Sequence, residues 1–205
     1  MSPGGTMMRV YAALKARVLA GAFSPGERLD PARLSGDLAA SVTPIRDALH
    51  RLTGERLVDS WQHEGFRQPL VSEAGLRDLY SWSGEVLTLV LRAAERIPES
   101  AAPPPPAEQA ESFADRAALL FTWIAEHSAS REHRAAIASL NDRCHLLRLV
   151  EARVLADPGY ELDELAAHIE ARRWPDARRS GDAYHRRRLR HVPDIAAQLR
   201  PREGS

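Results

Sequence analysis

The 205-residue sequence contains a single cysteine, Cys144, a single lysine, Lys15, and no long apolar segment. One cysteine cannot form an internal disulfide, and this scarcity is typical of proteins in a reducing cytoplasm. No apolar run approaches the ~20 residues that span a bilayer, and the N-terminus lacks the pattern of a secretion signal. These absences predict a soluble cytoplasmic protein with no membrane partner.

The sequence also lacks a net charge, because 28 basic residues balance 28 acidic residues. Overall charge therefore neither requires nor excludes a nucleic-acid partner, and only local clusters can argue for one. Hydrophobic residues are plentiful at 44%. A chain of this length can bury one large core or two modest ones, which predicts one or two domains.

The N-terminal part has the pattern of short helices separated by a turn. Apolar residues recur at helical spacing over residues 7–19, and "SPGER" follows with Pro25 and Gly26 suited to the centre of a type II turn. Asp30 before Pro31 is typical of a helix N-terminus. The pattern predicts two helices joined by a chain reversal.

A third helix is predicted in "SVTPIRDALHRL". Thr43 can cap it through its hydroxyl, and Pro44 then occupies the first helical position, where a missing N–H costs nothing. The apolar residues that would face the core are Ile45, Leu49 and Leu52. Arg46 and His50 lie on another face, and Gly54 is placed to end the helix. The second and third helices together have the plan of a helix-turn-helix.

The stretch "LVDSWQHEGFRQPLV" has two short apolar segments around a glycine-containing turn. It predicts a β-hairpin wing, although Pro69 limits the second strand. Residues 1–71 are therefore expected to form a winged helix-turn-helix domain.

Only helical patterns follow, over residues 72–97, 108–126, 131–155, 162–172 and 176–190. The proline-rich "PESAAPPPPAE" interrupts them as a semi-rigid loop. The predicted fold is mainly α: a winged helix-turn-helix with a small hairpin, then an all-α bundle over residues 72–205.

These motifs resemble the GntR transcription regulators over roughly residues 8–71. The similarity lies in "VYAALKARVLAGAFSPGERL", "LSGDLAASVTPIRDALHRL" and the wing segment, in that order. The helical part is similar to the effector-binding and dimerising FCD domain of the FadR branch. The resemblance implies a homodimer that binds palindromic operator DNA, acts as a repressor and is tuned by a small-molecule effector.

The resemblance also implies which residues contact DNA. They are Ser41, Thr43 and Arg46 on the third helix, His63 and Gly65 at the wing tip, and Arg33 on the second helix. An arginine fork suits bidentate recognition of guanine, and hydroxyls suit phosphate oxygens. Val42 departs from the family, which often has arginine there, so reduced base readout or phosphate affinity is expected. Two alternatives stay open: Arg46 pairs with Asp47 or another acid, and His63 is an exposed turn residue.

Members of this branch often bind a metal through an Asp-x-x-x-His pair and two later histidines. That pattern falls on Ala118, Thr122, Asp163 and His185, so only His185 is the expected ligand. We therefore predict no metal and no cofactor. His185 is a candidate effector contact, with a hydrogen bond to Asp163 expected. The effector pocket has either diverged or lost its role.

Other residues allow further interpretations. Cys144 beside His145 suggests a nucleophile, but helix neighbours point about 100° apart, which favours a core cysteine. The run "YHRRRLRHVP" is either an anion-binding segment or a solvated helix face, and nearby aspartates favour the latter. A helical enzyme or metal protein with a winged-helix head is the alternative function. The absence of a nucleophile–base pair, a phosphate loop or a metal cluster disfavours it, so we predict that the chain is not an enzyme.

Overall fold

The computed structural model describes residues 3–61, 65–98 and 100–200. They form two compact units: the head, which holds residues up to Val71 together with Arg200, and the bundle, from Ser72 to Leu199. Helices dominate both units, and the named strands within the described ranges form one two-stranded sheet. The predicted fold class, a winged helix-turn-helix with an all-α part, is confirmed.

The head contains α1 (Pro3–Leu19), α2 (Pro31–Asp37), α3 (Val42–Gly54), β1 (Asp59–Trp61) and β2 (Gly65–Arg67). The two strands pair antiparallel, with Asp59 opposite Arg67 and Trp61 opposite Gly65. This hairpin is the predicted wing.

The turn between α1 and α2 is built as the sequence predicts. Glu27 N donates to Ser24 O at 2.9 Å, and Gly26 has φ 79°, the left-handed conformation that a type II turn requires at this position. Beyond the turn, Leu29 N donates to Phe66 O at 2.9 Å. The segment after the turn therefore pairs with β2 and fixes the wing beside the helices.

The start of α3 differs from the prediction. Ser41, and not Thr43, is the N-cap, so the helix begins at Val42 and Pro44 lies within its first turn. Proline is tolerated there because the first N–H groups of a helix have no intrahelical acceptor. The C-terminus also differs, since the left-handed residue beyond it is Arg56, with φ 59°, and not Gly54.

The head core is formed by hydrophobic side chains, and Tyr11 at its edge donates its hydroxyl to Glu55 Oε1 at 2.6 Å. Its members come from all three helices and the wing, and Val10, Leu14, Leu34, Ile45, Leu49, Leu52 and Phe66 are among them. Burial of these side chains sets the angle between α2 and α3, and so positions the N-terminus of α3 at the surface.

The bundle is made of helices connected by short loops and by one proline-rich segment. They are α4 (Glu73–Ala94), α5 (Phe113–Glu126), α6 (Arg131–Val154), α7 (Pro158–Glu170), α8 (Trp174–Arg190) and α9 (Val192–Leu199). Within the described part of the chain, none of the helices has the length and apolar character needed to cross a membrane.

Several helix boundaries in the bundle differ from the predicted ones, and α7 begins at Pro158 instead of residue 162. α5 begins at Phe113 instead of residue 108, because Ser112 caps it through a bond from Asp115 N to Ser112 Oγ at 3.1 Å. The last predicted helix is followed by a separate α9. Pro193 lacks the N–H that would continue α8, so the chain changes direction at His191.

Candidate nucleic-acid interface

The N-terminus of α3 presents a group of exposed side chains. Ser41, Val42, Thr43 and Arg46 are all exposed, and the Ser41 hydroxyl makes no capping bond to the helix. Residues three and four apart share one side of a helix, so Arg46 lies on the same surface as Val42 and Thr43. This surface offers two hydroxyls and one cation beside the free N–H groups of a helix N-terminus.

Arg46 makes no hydrogen bond or ion pair with any residue that the structure describes. The alternative in which Asp47 or another acid neutralises it is therefore not seen in the described residues. The neighbouring Arg51 differs, because its guanidinium lies over the Tyr11 ring at 3.9 Å and pairs with Glu55 at 3.3 Å. Arg51 stabilises the head, whereas Arg46 is available for a partner.

Local hydrogen bonds hold the turn between α2 and α3. Ser35 Oγ donates to Ala40 O at 2.6 Å, and Arg9 Nη1 donates to Leu38 O at 3.2 Å. Ala39 takes a left-handed conformation with φ 46°. These contacts join the turn to α1 and fix the orientation in which α3 is presented.

His50 connects α3 to the wing. Its ring meets the Phe66 ring edge-on, with centroids 4.8 Å apart. His50 is exposed, as its predicted place on the polar face requires, and the same side chain also packs β2 against α3.

Arg33 is placed differently from Arg46. Its guanidinium pairs with Glu27 Oε1 at 2.8 Å, and this hydrogen bond, together with one from the Ser24 N–H, lowers the pKa of the Glu27 carboxyl. Arg33 would have to leave Glu27 before it could bind a DNA phosphate. Arg33 remains a predicted contact, and it is a weaker one than Arg46.

At the wing, Gly65 begins β2 with φ 80°. A Cβ there would meet no atom within 4 Å, so the backbone conformation, and not a lack of space, favours glycine. The other predicted wing contact, His63, lies outside the described residues.

The four bundle positions that correspond to family metal ligands do not form a metal site. Ala118 O and Thr122 Oγ1 accept hydrogen bonds from Asn141 Nδ2 at 3.1 and 3.0 Å, and Asp163 pairs with Arg116. Over the described ranges, no group of three His, Cys, Asp or Glu side chains is placed to hold an ion. The residues present therefore do not fit a transition metal.

The predicted hydrogen bond between His185 and Asp163 is wrong. His185 Nε2 lies 3.0 Å from Ser83 Oγ, and Nδ1 lies 2.9 Å from Gly181 O. The side chain is 4% exposed. Burial, with smaller contributions from Arg188 and Arg148, lowers its pKa to about 4. His185 is a neutral core residue between α4 and α8.

Sequence reasoning missed a buried ionic network in the bundle. Arg188 is fully buried, and its Nε donates to Glu151 Oε2 at 2.9 Å while Nη1 donates to Glu161. Tyr80 OH donates to Glu151 Oε1 at 2.7 Å. Burial, reinforced by the Glu151 carboxylate, raises the pKa of Tyr80. The interpretation of the arginine run as a wholly solvated face is therefore wrong at Arg188.

Arg148 and Cys144 extend this polar interior along α6. Arg148 is buried, donates from Nη1 to Asn141 Oδ1 at 3.0 Å and lies over the Phe121 ring at 5.0 Å. Burial raises the pKa of the Cys144 thiol to about 11. A thiol in this environment is a poor nucleophile, in agreement with the core interpretation.

The fold and the exposed surface of α3 define a class, the winged helix-turn-helix proteins with a helical C-terminal part. Comparison with known proteins adds the family. Residues 6–67 match the model of bacterial regulatory proteins, gntR family. The match lies within the head, which is therefore similar to the helix-turn-helix part of that family.

Two characterised relatives agree with this assignment. The HTH-type transcriptional repressor GlaR of Escherichia coli (strain K12) is 36% identical over 75 residues, which cover 37% of this chain and 34% of that protein. The Nta operon transcriptional regulator of Aminobacter aminovorans is 40% identical over 58 residues, 28% of each. The matched segment therefore spans about a third of the first relative and less of the second.

Solved structures match over nearly the whole chain. McbR/YncC of E. coli has a TM-score of 0.68 at 18% identity and covers 92% of this chain and 97% of its own. A GntR transcriptional regulator from Rhodococcus sp. RHA1 has a TM-score of 0.65 at 17% identity, with 94% and 96% covered. At these identities the likeness shows a shared fold.

Proposed function

We propose that the chain is a sequence-specific DNA-binding transcription regulator, a repressor that acts as a homodimer on a palindromic operator. The observation that carries the proposal is the exposed Arg46, which has no partner among the described residues and lies beside two free hydroxyls on the recognition helix. An arginine so placed can donate two parallel hydrogen bonds to a guanine edge in the major groove. In this proposal residues 1–71 bind DNA and residues 72–205 form the dimerising domain.

Ser41, Thr43 and the wing have positioning roles in this proposal. Hydroxyls and N–H groups at the start of α3 suit phosphate oxygens, and Gly65 lets the wing approach a groove closely. Val42, in place of the arginine that the family often has, leaves one fewer cation for base readout. Arg46 then carries a larger share of the sequence preference.

Two copies are expected because one winged helix buries too little DNA for high specificity. A two-fold axis doubles the contacts and imposes inverted half-sites. The names of the relatives, one a repressor and one an operon regulator, support regulation of transcription.

The bundle is proposed to be an FCD-type domain of the FadR branch that lacks the metal of its relatives. Release from DNA by a small-molecule effector follows from the family resemblance. Without a metal, such an effector would be held by hydrogen bonds and apolar contacts, and chelators would leave operator binding unchanged.

The test begins with selection of bound fragments from the source genome, which supplies an operator. Binding of the wild type, Arg46→Ala and Arg56→Ala is then measured on this operator and on a scrambled duplex. Arg46→Ala should weaken operator binding by ~1 to 3 kcal/mol per half-site and relax the preference at one base pair.

Arg56→Ala is the matched control, because it removes the same charge from an exposed residue just beyond the opposite end of α3. It should leave operator preference unchanged. Equal loss on operator and scrambled DNA for Arg46→Ala would assign Arg46 to positioning and not to base reading. Failure to select any fragment would contradict the proposed function itself.

A further inference from the structure

The proline-rich segment between α4 and α5 forms one wall of a cleft, which we call the proline cleft. It lies where α4, α5 and α7 end and α8 begins, and it has a volume of about 540 Å³. This volume is in the range of pockets that hold small molecules. Its lining residues include Ala102, Pro104, Trp123, Ile169, Arg172 and Trp174.

Successive prolines keep the loop wall of the cleft in one shape. Proline fixes its own φ and restricts the residue before it, so residues 103–106 have little conformational freedom. Pro104 is buried, and Ala101 packs against the core of the bundle. Ala101 N also donates to Pro98 O at 3.1 Å. The wall is therefore formed before a ligand arrives, which lowers the cost of ordering it on binding.

Arg172 joins the opposite wall to this loop. Its Nη2 donates to Ile97 O at 2.7 Å, and its backbone is left-handed, with φ 55°. Its N–H donates to Ile169 O at 2.9 Å, and Arg173 N donates to His168 O at 2.8 Å. These two bonds form the Schellman motif that ends a helix, in which glycine is the usual left-handed residue. Arg172 is therefore a positioning residue, because its side chain holds the start of the loop.

Two tryptophans give the cleft flat aromatic walls. Trp123 and Trp174 are half-buried and pack against the core of the bundle. The imidazole of His127 lies against the Trp123 indole, with ring centroids 4.1 Å apart, and holds it in place. Indole rings prefer offset-stacked or edge-on contacts with other aromatic rings. The shape and chemistry of these walls favour a flat aromatic ligand.

The charges at the cleft favour an uncharged ligand. Among the described lining residues, the charged side chains are Glu170 and Arg172, one of each sign, and both are exposed at the rim. The remaining walls are apolar apart from the two indole N–H groups. A charged ligand would lose water on entering without a matching charge inside the cleft, and this loss is unfavourable.

The centre of the bundle is filled by its own side chains. The Phe121 ring meets the Tyr184 ring edge-on, with centroids 5.6 Å apart, and the Arg148 guanidinium lies over it at 5.0 Å. All three side chains are buried. A ligand at the centre would have to displace them, whereas the proline cleft can accept a ligand without displacing the core.

We infer that the proline cleft binds a small, flat and uncharged aromatic molecule. The rigid loop, the two indoles and the balanced rim charges are the features that select this class. The inference rests on the proposed function for its purpose, because such a molecule would then be the effector of the regulator. The binding itself requires no DNA.

Calorimetry of the full chain without DNA is the central test. Naphthol is the uncharged probe, and naphthalenesulfonate and naphthylmethylammonium are its anionic and cationic analogues. The wild type should bind one naphthol per chain. Each charged analogue should bind about tenfold more weakly, because its charge would be desolvated without a partner.

A variant that fills the cleft shows where the probe binds. Ala102 lines the cleft and is exposed, so Ala102→Trp places an indole in the cleft without removing a core contact. It should weaken naphthol binding by about tenfold or more, because the ligand must compete with this indole. Ala138→Trp is the matched control, because Ala138 is an exposed alanine of α6 outside the cleft. It should bind naphthol as the wild type does, and circular dichroism confirms that both variants are folded.

A second variant tests the positioning role of Arg172. Arg172→Gly suits the left-handed backbone and removes the bond to Ile97 O, so it should keep the unfolding midpoint and weaken naphthol binding by about threefold to tenfold. Arg173→Ala, which removes the same charge from the next residue, should leave naphthol affinity unchanged. Equal affinity in Arg172→Gly and the wild type would contradict the positioning role.

The remaining outcomes decide the inference itself. A wild type that binds no naphthol, or an Ala102→Trp variant that binds it as tightly as the wild type, would overturn the site. Tighter binding of either charged analogue would overturn the ligand class. A chain that binds naphthol in the cleft but selects no genomic fragment would leave the site intact and contradict the proposed DNA-binding function. The two ideas can therefore fail separately.

Discussion

The head and the bundle differ in whether they bury polar side chains. In the described residues, every buried polar or charged side chain belongs to the bundle: Ser83, Ser128, Asn141, Arg148, Glu151, Ser180, His185 and Arg188. The head core consists of hydrophobic side chains, with the Tyr11 hydroxyl bonded to Glu55 at its edge, and the charges of the head lie at or near the surface. In the head, ion pairs such as Arg33–Glu27 and Arg51–Glu55 lie at or near the surface, whereas the bundle also buries cations in its interior, at Arg148 and Arg188.

This difference teaches where function can be sought in each unit. A buried charge needs compensation from neighbours, and compensated groups have little capacity left for a ligand. Arg188 pairs with two carboxylates, although its buried Nη2 has no hydrogen-bond partner in the described ranges, while Arg46 pairs with no carboxylate there. Arg46 therefore suits recognition, and the buried arginines of the bundle suit structural specificity.

The largest effect is expected from breaking the buried network. Glu151→Gln should lower the free energy of unfolding of the bundle by ~3 kcal/mol or more, because it leaves the fully buried Arg188 with one carboxylate fewer. Urea unfolding followed by far-UV circular dichroism measures it. Replacing Glu151 and Arg188 together by leucine should cost less than the sum of the single changes. A loss below about 1 kcal/mol for Glu151→Gln would show that the network does not depend on charge.

A smaller effect, with a defined pH window, is expected from His185. The folded state holds this imidazole neutral down to about pH 4, whereas the unfolded chain takes up the proton below its ordinary pKa of about 6.5. The free energy of unfolding should therefore be highest above pH 6.5, decrease by about 3 kcal/mol as the pH falls toward 4, and level off below that.

Urea unfolding of the bundle at several pH values between 7 and 4 checks this expectation. His185→Gln should flatten the dependence, because glutamine does not titrate. His191→Gln, which changes a partly exposed histidine near the end of α8, is the control and should retain the slope of the wild type. If the free energy of unfolding of His185→Gln depended on pH as strongly as that of the wild type, other groups would cause the acid sensitivity.

The smallest effect is expected at the surface of the head. The Arg33–Glu27 pair is largely solvated, with 55% of the Arg33 side chain exposed, so Arg33→Ala should leave the unfolding midpoint of the head unchanged. A clear shift of this midpoint would contradict the view that the charges of the head contribute little to its stability. The operator affinity of the same variant shows whether Arg33 leaves Glu27 to bind a phosphate of the DNA.

The head was largely predictable because its signals are local. Pro25 and Gly26 select one turn type, Asp30 caps its helix through a bond to Ala32 N at 2.9 Å, and the glycine of the wing marks the hairpin. The helix boundary at Ser41 was missed, because proline is tolerated at several positions of a first turn. The sequence could not show that Arg46 has no partner in the described residues, because this depends on which acids the fold brings near.

The bundle interior was less predictable, although part of the signal is present. Ala177, Gly181, Tyr184 and Arg188 follow one face of α8, so a helical projection separates Arg188 from the exposed Arg186. The same projection places Glu151 with Cys144 and Leu147 on the buried side of α6. Sequence periodicity identifies such positions, but the pairing of charges on distant helices emerges only in three dimensions.

Because Cys144 is buried, its chemical modification can report when the bundle opens. It is the only thiol in 205 residues, and it lies in the core of α6 with a pKa raised to about 11. A maleimide or disulfide reagent will modify it only in molecules whose bundle has transiently opened. The rate of modification therefore measures the opening of one unit alone, without an added label and without interference from the head.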